Sequence, residues 1–314
     1  VLAVPRKAAG LGAVLVLALA ASAPPARACS ICRCGDPTFN ALGKEGIQAR
    51  GLRLALDWER FDKDEGNPAE ESEAQVENRF TMLGSYAFND RFSLNARVPV
   101  SHRHLTTSAA GEEPETVTTS GLSDPEIYGQ VRLWASPMRG GLGRRASVSL
   151  VGGVKTPWGE NDVVKDGERV DEHAQPGTGS TDAFGSVVLL YLIDPRSALF
   201  VSTGYRHTGS NGYGYRYGSS FTASAAYEHK LGSVFDAVVA LDFRDAARDQ
   251  VDASGTLDED TGGSLLYVTP RLLVSLGHGL VLRAGAQIPV LKSLNGFQTE
   301  RAVANVGITY LFSR

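Results

Sequence analysis

From residue 52 onward the chain alternates apolar and polar positions. Leu52, Leu54, Leu56 and Trp58 interleave with Arg53, Ala55, Asp57 and Glu59, and a period of two is the signature of a strand with one apolar face. Phe80, Met82, Tyr86 and Phe88 oppose Arg79, Thr81 and Ser85; Phe92, Leu94, Ala96, Val98 and Val100 oppose Arg91, Ser93, Asn95 and Arg97. The pattern recurs around Ile127–Leu133, Val148–Val154, Leu199–Tyr205, Phe221–Tyr227, Phe235–Phe243, Leu266–Leu276, Leu280–Ile288 and Val306–Phe312. Near 181–193 both faces are apolar, and the facing of that strand stays open. The pattern predicts about twelve strands, each near the ~9–11 residues that a tilted strand needs to cross a bilayer.

The connections predicted between these strands alternate in length. Short ones fall near Asn89-Asp90, Pro137 to Arg145, Asp194-Pro195-Arg196, Gly232-Ser233 and Gly277-His278-Gly279. Long ones fall near 62–75, 103–120, 159–180, 210–219, 246–263 and 292–300. Outer-membrane barrels sort their connections this way, with short periplasmic turns and longer outer loops. A soluble β-sandwich has no reason to. Trp58, Phe61, Phe88, Phe92, Tyr205, Tyr227, Phe243, Tyr310 and Phe312 fall near predicted strand ends, where aromatic girdles meet the lipid–water boundary. The expected fold is all-β: a transmembrane, antiparallel, up-and-down barrel with both termini on the periplasmic, short-turn side.

The amino terminus reads differently. Arg6 and Lys7 precede an apolar run from Leu11 to Ala23, followed by Ala26-Arg27-Ala28, the layout of a secretory signal peptide cleaved after Ala28. The run is shorter than the ~20 residues of a spanning helix, and nothing after it approaches that length. A mature chain that enters a membrane must then do so as a closed barrel, since only helices and closed barrels satisfy every backbone group in lipid. The expected organisation is a signal peptide over 1–28, a cysteine-containing periplasmic or lumenal segment over 29–47, and an outer-membrane barrel over 48–314. Gly is 35 of 314 residues, Cys only 3, and the net charge is −4. This composition offers no basic footprint for nucleic acid.

Three short motifs carry a resemblance: Gly121-Leu122-Ser123-Asp124-Pro125-Glu126 before one strand, Lys155-Thr156-Pro157-Trp158-Gly159 after another, and Gly177-Thr178-Gly179-Ser180-Thr181-Asp182 before a third. With the strand spacing over about 48–314, the chain resembles outer-membrane barrels of the meta-pathway phenol-degradation family, a group designated as transporters. The resemblance implies a barrel that admits small molecules and supplies no catalytic residues. On their own, the motifs are Gly-rich strand-entry chemistry, and Gly177-Thr178-Gly179 lacks the Gly-Lys-Ser/Thr ending of a phosphate-binding loop.

Candidate chemistry falls in four places. Cys29, Cys32 and Cys34 lie within six residues at the expected mature terminus. An oxidising periplasm suits a disulfide, three thiolates suit a soft ion such as Cu or Zn, and a thiol suits exchange with a partner protein; these readings stay open. The inward face is expected to carry Arg53, Arg79, Arg97, Arg132, Arg206, Arg271 and Arg283 with Glu126 and Glu228, along with Arg91, Lys155, Asp57, Glu59, Glu77, Asp236 and Asp242. Such a set lines a narrow channel or pairs into a network. Acidic residues crowd the predicted loops at 62–73, 160–172 and 249–260, where solvated charge or bridging cations for lipopolysaccharide are the alternatives. His102 and His104 share one face near a strand end. No residue set supports an enzyme. The reading is a channel or transporter passing small solutes, aromatic or hydrophobic ones among them, by passive diffusion. Its partners are outer-membrane lipid, lipopolysaccharide and the solute. The alternative is a barrel scaffold docking a periplasmic metal-handling or redox partner through the cysteine segment.

Overall fold

The computed structural model describes residues 51–313, apart from 68, 70, 112 and 138–143. The expected signal peptide and the segment with Cys29, Cys32 and Cys34 lie outside the described residues. The strands are β1 (Gly51–Asn67), β2 (Glu71–Ala87), β3 (Phe92–Ala109), β4 (Glu115–Leu122), β5 (Glu126–Pro137), β6 (Arg144–Lys155), β7 (Val164–Lys165), β8 (Glu168–Arg169), β9 (Asp182–Leu192), β10 (Ser197–His207), β11 (Ser220–Lys230), β12 (Phe235–Ala246), β13 (Gly263–Gly277), β14 (Leu280–Leu294), β15 (Gln298–Glu300) and β16 (Val303–Ser313).

Twelve of them close an antiparallel barrel in chain order. The circle runs β1, β2, β3, β5, β6, β9, β10, β11, β12, β13, β14 and β16, and β16 returns to β1 from Gly51↔Ser313 to Arg60↔Ala304. Closure leaves no free sheet edge, the condition for a sheet to sit in lipid. β4 continues the wall above β5 by pairing with the far half of β3, β15 pairs with the far end of β1, and β7–β8 is a small hairpin within a loop.

Parity decides which face each side chain takes. Leu52, Leu54, Leu56, Phe80, Met82, Leu94, Val131, Leu150, Leu241, Leu272 and Ile308 point outward and are exposed, while Asp57, Arg79, Thr81, Ser93, Asn95, Ser149, Ser202, Asp242 and Thr309 are buried inside. The outward apolar run on β1 ends at Trp58; Arg60, Asp62 and Asp64 follow on the same face. The outward apolar run spans seven residues on β1 and nine, Phe92 to Val100, on β3, close to the ~9–11 residues of one bilayer crossing by a tilted strand. Aromatics mark its rims: Tyr86, Phe88 and Phe92 contact one another at the short-turn end with Tyr310 and Phe312 nearby in the same rim, and Phe221 and Phe243 meet at the other end.

Three features depart from the sequence reading. The stretch 62–75 is not a long loop: β1 and β2 run 17 residues each and stay paired as far as Asn67↔Glu71. Likewise β3 extends to Ala109 and pairs with β4 across most of 103–120. Polar residues occupy both faces there because one face has risen above the apolar band and the other still lines the lumen. Phe61 is inward and buried, with the Arg79 guanidinium 4.7 Å from its ring centroid, and takes no part in a girdle. Finally, the lumen is not polar throughout. On β9–β14 the inward positions at the short-turn half include Leu190, Leu192, Ala198, Phe200, Ala226, Val238, Ala240, Leu273 and Val281, which pack as one apolar cluster, with Glu228 buried opposite Ala198 and Val238. This also settles the facing of β9: its even positions point inward.

Candidate functional site: a pinned loop inside the lumen

The 156–181 connection between β6 and β9 does not project away from the barrel. It folds against the inner face of the wall made by β2, β3 and β4. Val170 and Ala174 bury against Leu105. The short 3₁₀ turn Glu172–Ala174 places its carbonyls on wall donors: Gln75 Nε2 donates to His173 O at 2.8 Å, Arg103 donates to His173 O at 3.1 Å and also to Gln175 O, and Thr119 donates to Ala174 O. Gln175 is wholly buried, its side chain satisfied by the backbone of Val163 and Val170 within the same loop. Backbone polar groups brought into the lumen must find partners, and the wall supplies them.

The root of this loop is a charged staple built by the three sequence motifs together. Asp124 accepts from Gly159 N at 3.0 Å, Thr178 N at 2.9 Å, Thr178 Oγ1 at 2.5 Å and Lys155 Nζ at 3.0 Å. Lys155, 1% exposed, also meets Asp182 at 3.1 Å and Ser180 at 3.0 Å. Arg206 continues the chain of charges, 3.5 Å from Asp182 and 2.7 Å from Glu126, and Arg97 reaches Glu126 at 3.1 Å. Two glycines permit the approach. A Cβ on Gly159 would stand 2.6 Å from Asp124 Oδ1, and one on Gly177 would stand 2.7 Å from the Gly159 Cα. Burial raises the Asp124 carboxyl, but the Lys155 ammonium and the Thr178 donors outweigh it and hold the group below its usual range.

Beside the staple is a cleft enclosing about 390 Å³, part of it open to solvent, lined by Arg79, Arg97, Arg103, Lys155, Asp124 and Glu126 among others. Glu77 pairs with Arg79 at 2.8 Å and Arg103 at 3.3 Å on its margin. Charged and polar side chains of the loop root and the wall thus share this cleft.

The residues singled out from sequence are distributed as follows. Arg79, Arg97, Arg206, Glu126 and Glu228 are buried on inward positions; Arg53, Arg271 and Arg283 are half-buried there. Arg97, Arg206 and Glu126 come together at the staple, with Arg79 at the same cleft. Arg283 pairs instead with Asp57, and Arg132 reaches the Asp90 carbonyl at a short turn. Arg91 is exposed at that turn. His102 and His104 stack edge-to-face 4.7 Å apart on the outward face of β3 and bond Ser120 and Thr118 of β4. The acidic segments are partly structural. Asp62 and Asp64 pair with Arg301, Glu172 holds Arg169 and Asn211, and Asp249 is fully buried and accepts from Tyr215 and Gly218. Sequence reasoning missed the loop's anchors, Asp124, Thr178, Ser180, Asp182 and His173. Their buried polar pairing is visible only once β5, β6 and β9 are neighbours.

Among solved structures, the COG4313 outer membrane channel from Pseudomonas putida F1 superposes with a TM-score of 0.63 at 10% identity, covering 84% of this chain and 97% of that one. This likeness is one of fold. The β domain of the Bordetella autotransporter BrkA gives 0.46 at 12% identity (84% and 100% covered), and the CymD monoaromatic hydrocarbon channel 0.42 at 8% (87% and 94% covered). No curated protein matches the chain. A family model matches residues 71–290, from the second barrel strand to the penultimate one and through all three motifs of the staple, and the chain belongs to the family described as "Putative MetA-pathway of phenol degradation".

Proposed function

We propose that this protein is an outer-membrane channel that admits small solutes, aromatic or hydrophobic ones among them, by passive diffusion. The observation that carries this is the two-sided lumen. A barrel of twelve strands stands between the side-chain-filled barrels of about eight and the open porins of about sixteen. Its long-loop half is narrowed by a pinned, charged loop, while one wall of its short-turn half carries an apolar cluster around the buried Glu228. A water-filled porin interior is polar, and an apolar inner wall is useful to a solute with an apolar face. The family's description and the naming of the similar Pseudomonas structure as a channel support the same reading. Both ends of the barrel chain, Gly51 and Ser313, lie at the short-turn end, which on this reading is periplasmic. The long connections then face outward among the lipopolysaccharide.

The test is conductance in planar bilayers. Purified, heat-modifiable protein is expected to give small unitary steps, and Phe200→Asp, which places a charge in the apolar wall, is expected to alter them. Folded protein that inserts and stays silent, with no solute flux in vesicles, would remove the proposal.

A further inference from the structure

A second cluster sits farther out, where the loop meets the protruding β1–β2 hairpin. The His173 ring is fixed from its backbone outward: Asp171 accepts from its amide at 2.6 Å, and Gln75 and Arg103 hold its carbonyl. Tyr215 donates to Asp249 at 2.7 Å, so its oxygen accepts from the imidazole Nε2–H at 3.1 Å. Nδ1 faces acceptors only, Glu73 Oε2 at 3.3 Å and Asp171 Oδ1 at 3.5 Å, so in the metal-free protein it carries a proton and donates to Glu73. A cation between the three atoms would take the place of that proton. A tetrahedral ion with bonds of ~2.0–2.1 Å spaces its ligands about 3.3–3.4 Å apart, which matches the two distances from Nδ1. All three donor atoms lie within 4.8 Å of one another.

An independent observation points to the same place. Glu65 is Glu73's partner across the β1–β2 ladder, so the two carboxylates share the inward face. Glu65 is 7% exposed, and its Oε2 is buried without a hydrogen-bond partner. It lies within electrostatic reach of His173, Glu73, Asp249 and Asp258. Burial pushes the Glu65 carboxyl up to about 8, and its Oε2 has no partner in the metal-free cluster. A proton on Nδ1 brings one positive charge to these acidic groups, whereas a divalent ion would bring two and a fourth coordination position.

We infer that Glu73, Asp171 and His173, backed by Glu65, form a Zn²⁺ site that clamps the inward loop to the barrel wall. Imidazole with carboxylates suits zinc among the divalent ions. The Tyr215–Asp249 pair is the outer shell that orients the histidine.

The experiment uses the full chain carrying Cys29→Ser, Cys32→Ser and Cys34→Ser, so that thiols do not compete, folded in detergent and stripped with chelator. Equilibrium dialysis against Zn²⁺ is expected to show one equivalent per chain. Asp171→Asn, at a half-exposed side chain that tolerates change, and His173→Gln should each weaken binding about tenfold or more, and Glu65→Gln should weaken it less. His102→Gln with His104→Gln should leave it intact. Zn²⁺ should also slow amide exchange over 171–175. The inference is overturned if the folded barrel binds no zinc, if binding survives both Asp171→Asn and His173→Gln, or if the His102/His104 variant abolishes it. None of these outcomes depends on whether the barrel conducts.

Discussion

Removing the Asp124 carboxylate should release the lumenal loop. In Asp124→Ala the amides of Gly159 and Thr178, the Thr178 hydroxyl and the Lys155 ammonium lose a common acceptor. Each hydrogen bond to a charged group contributes ~1.5–3 kcal/mol net, and breaking one partner out of a buried ion pair costs ~3–5 kcal/mol. Lys155 keeps Asp182 and Ser180, so the lower end applies, about 3 kcal/mol. At 1.4 kcal/mol per tenfold, the docked–undocked equilibrium of the loop shifts by about two orders of magnitude. The barrel's ladders are untouched, so the loss is local and not global. Amide exchange at Gly159, Gly177 and Thr178 should accelerate by roughly that factor, and unitary conductance should rise as the constriction opens. Asp124→Asn, which keeps one acceptor, should fall between. If Asp124→Ala folds with unchanged exchange at these amides, the staple does not hold the loop and the reasoning fails.

Gly177→Ala places a methyl against the Gly159 backbone, and overpacking of this kind costs ~1–3 kcal/mol; exchange in the loop should accelerate as in Asp124→Ala but less. The staple should be insensitive to mild acid. A carboxyl whose folded pKa is lowered contributes stability that is complete above its unfolded value of ~3.9 and lost only as pH falls through the lowered one. Loop exchange, corrected for intrinsic rates, should therefore match at pH 7 and pH 5 in Lys155-containing protein; release near pH 5 would contradict the assigned pairing. Leu54→Arg, in the middle of the outward band of β1, should cost ~2–4 kcal/mol of folding into vesicles, read by denaturant titration; a cost near zero would mean that this face does not meet lipid.

The barrel was legible because a period of two survives any loop sequence. Leu52 to Trp58 or Phe92 to Val100 fixes a strand, its facing and its membrane crossing without tertiary information. The same logic misled at 62–75. Once β1 climbs past Trp58, its outward residues Arg60, Asp62 and Asp64 meet water while Lys63 and Glu65 line the lumen, so neither face is apolar and the strand resembles a loop. Phe61 differs from its aromatic neighbours because its odd parity turns the ring inward. The apolar inner wall was written in the even positions of β12, Val238 and Ala240, and in Ala198 and Phe200 of β10. The same face carries the charged Asp236, Asp242 and Arg206, and these mask its apolar character in the sequence. The staple is a different case. Asp124, Lys155, Thr178 and Asp182 sit in recognised motifs tens of residues apart, and each motif alone reads as strand-entry chemistry. Only closure of the sheet, with β5, β6 and β9 side by side, brings the acid, the lysine and the two glycines to one point.

The central claim is that this lumen conducts small solutes, favouring those with an apolar face. The direct measurement is efflux from proteoliposomes of two monoanions of similar size, benzenesulfonate and gluconate, so that charge is held constant. The account predicts efflux above protein-free vesicles, faster for benzenesulfonate, with Phe200→Asp narrowing the difference. Folded barrel in the membrane with neither anion leaving faster than from empty vesicles would contradict it.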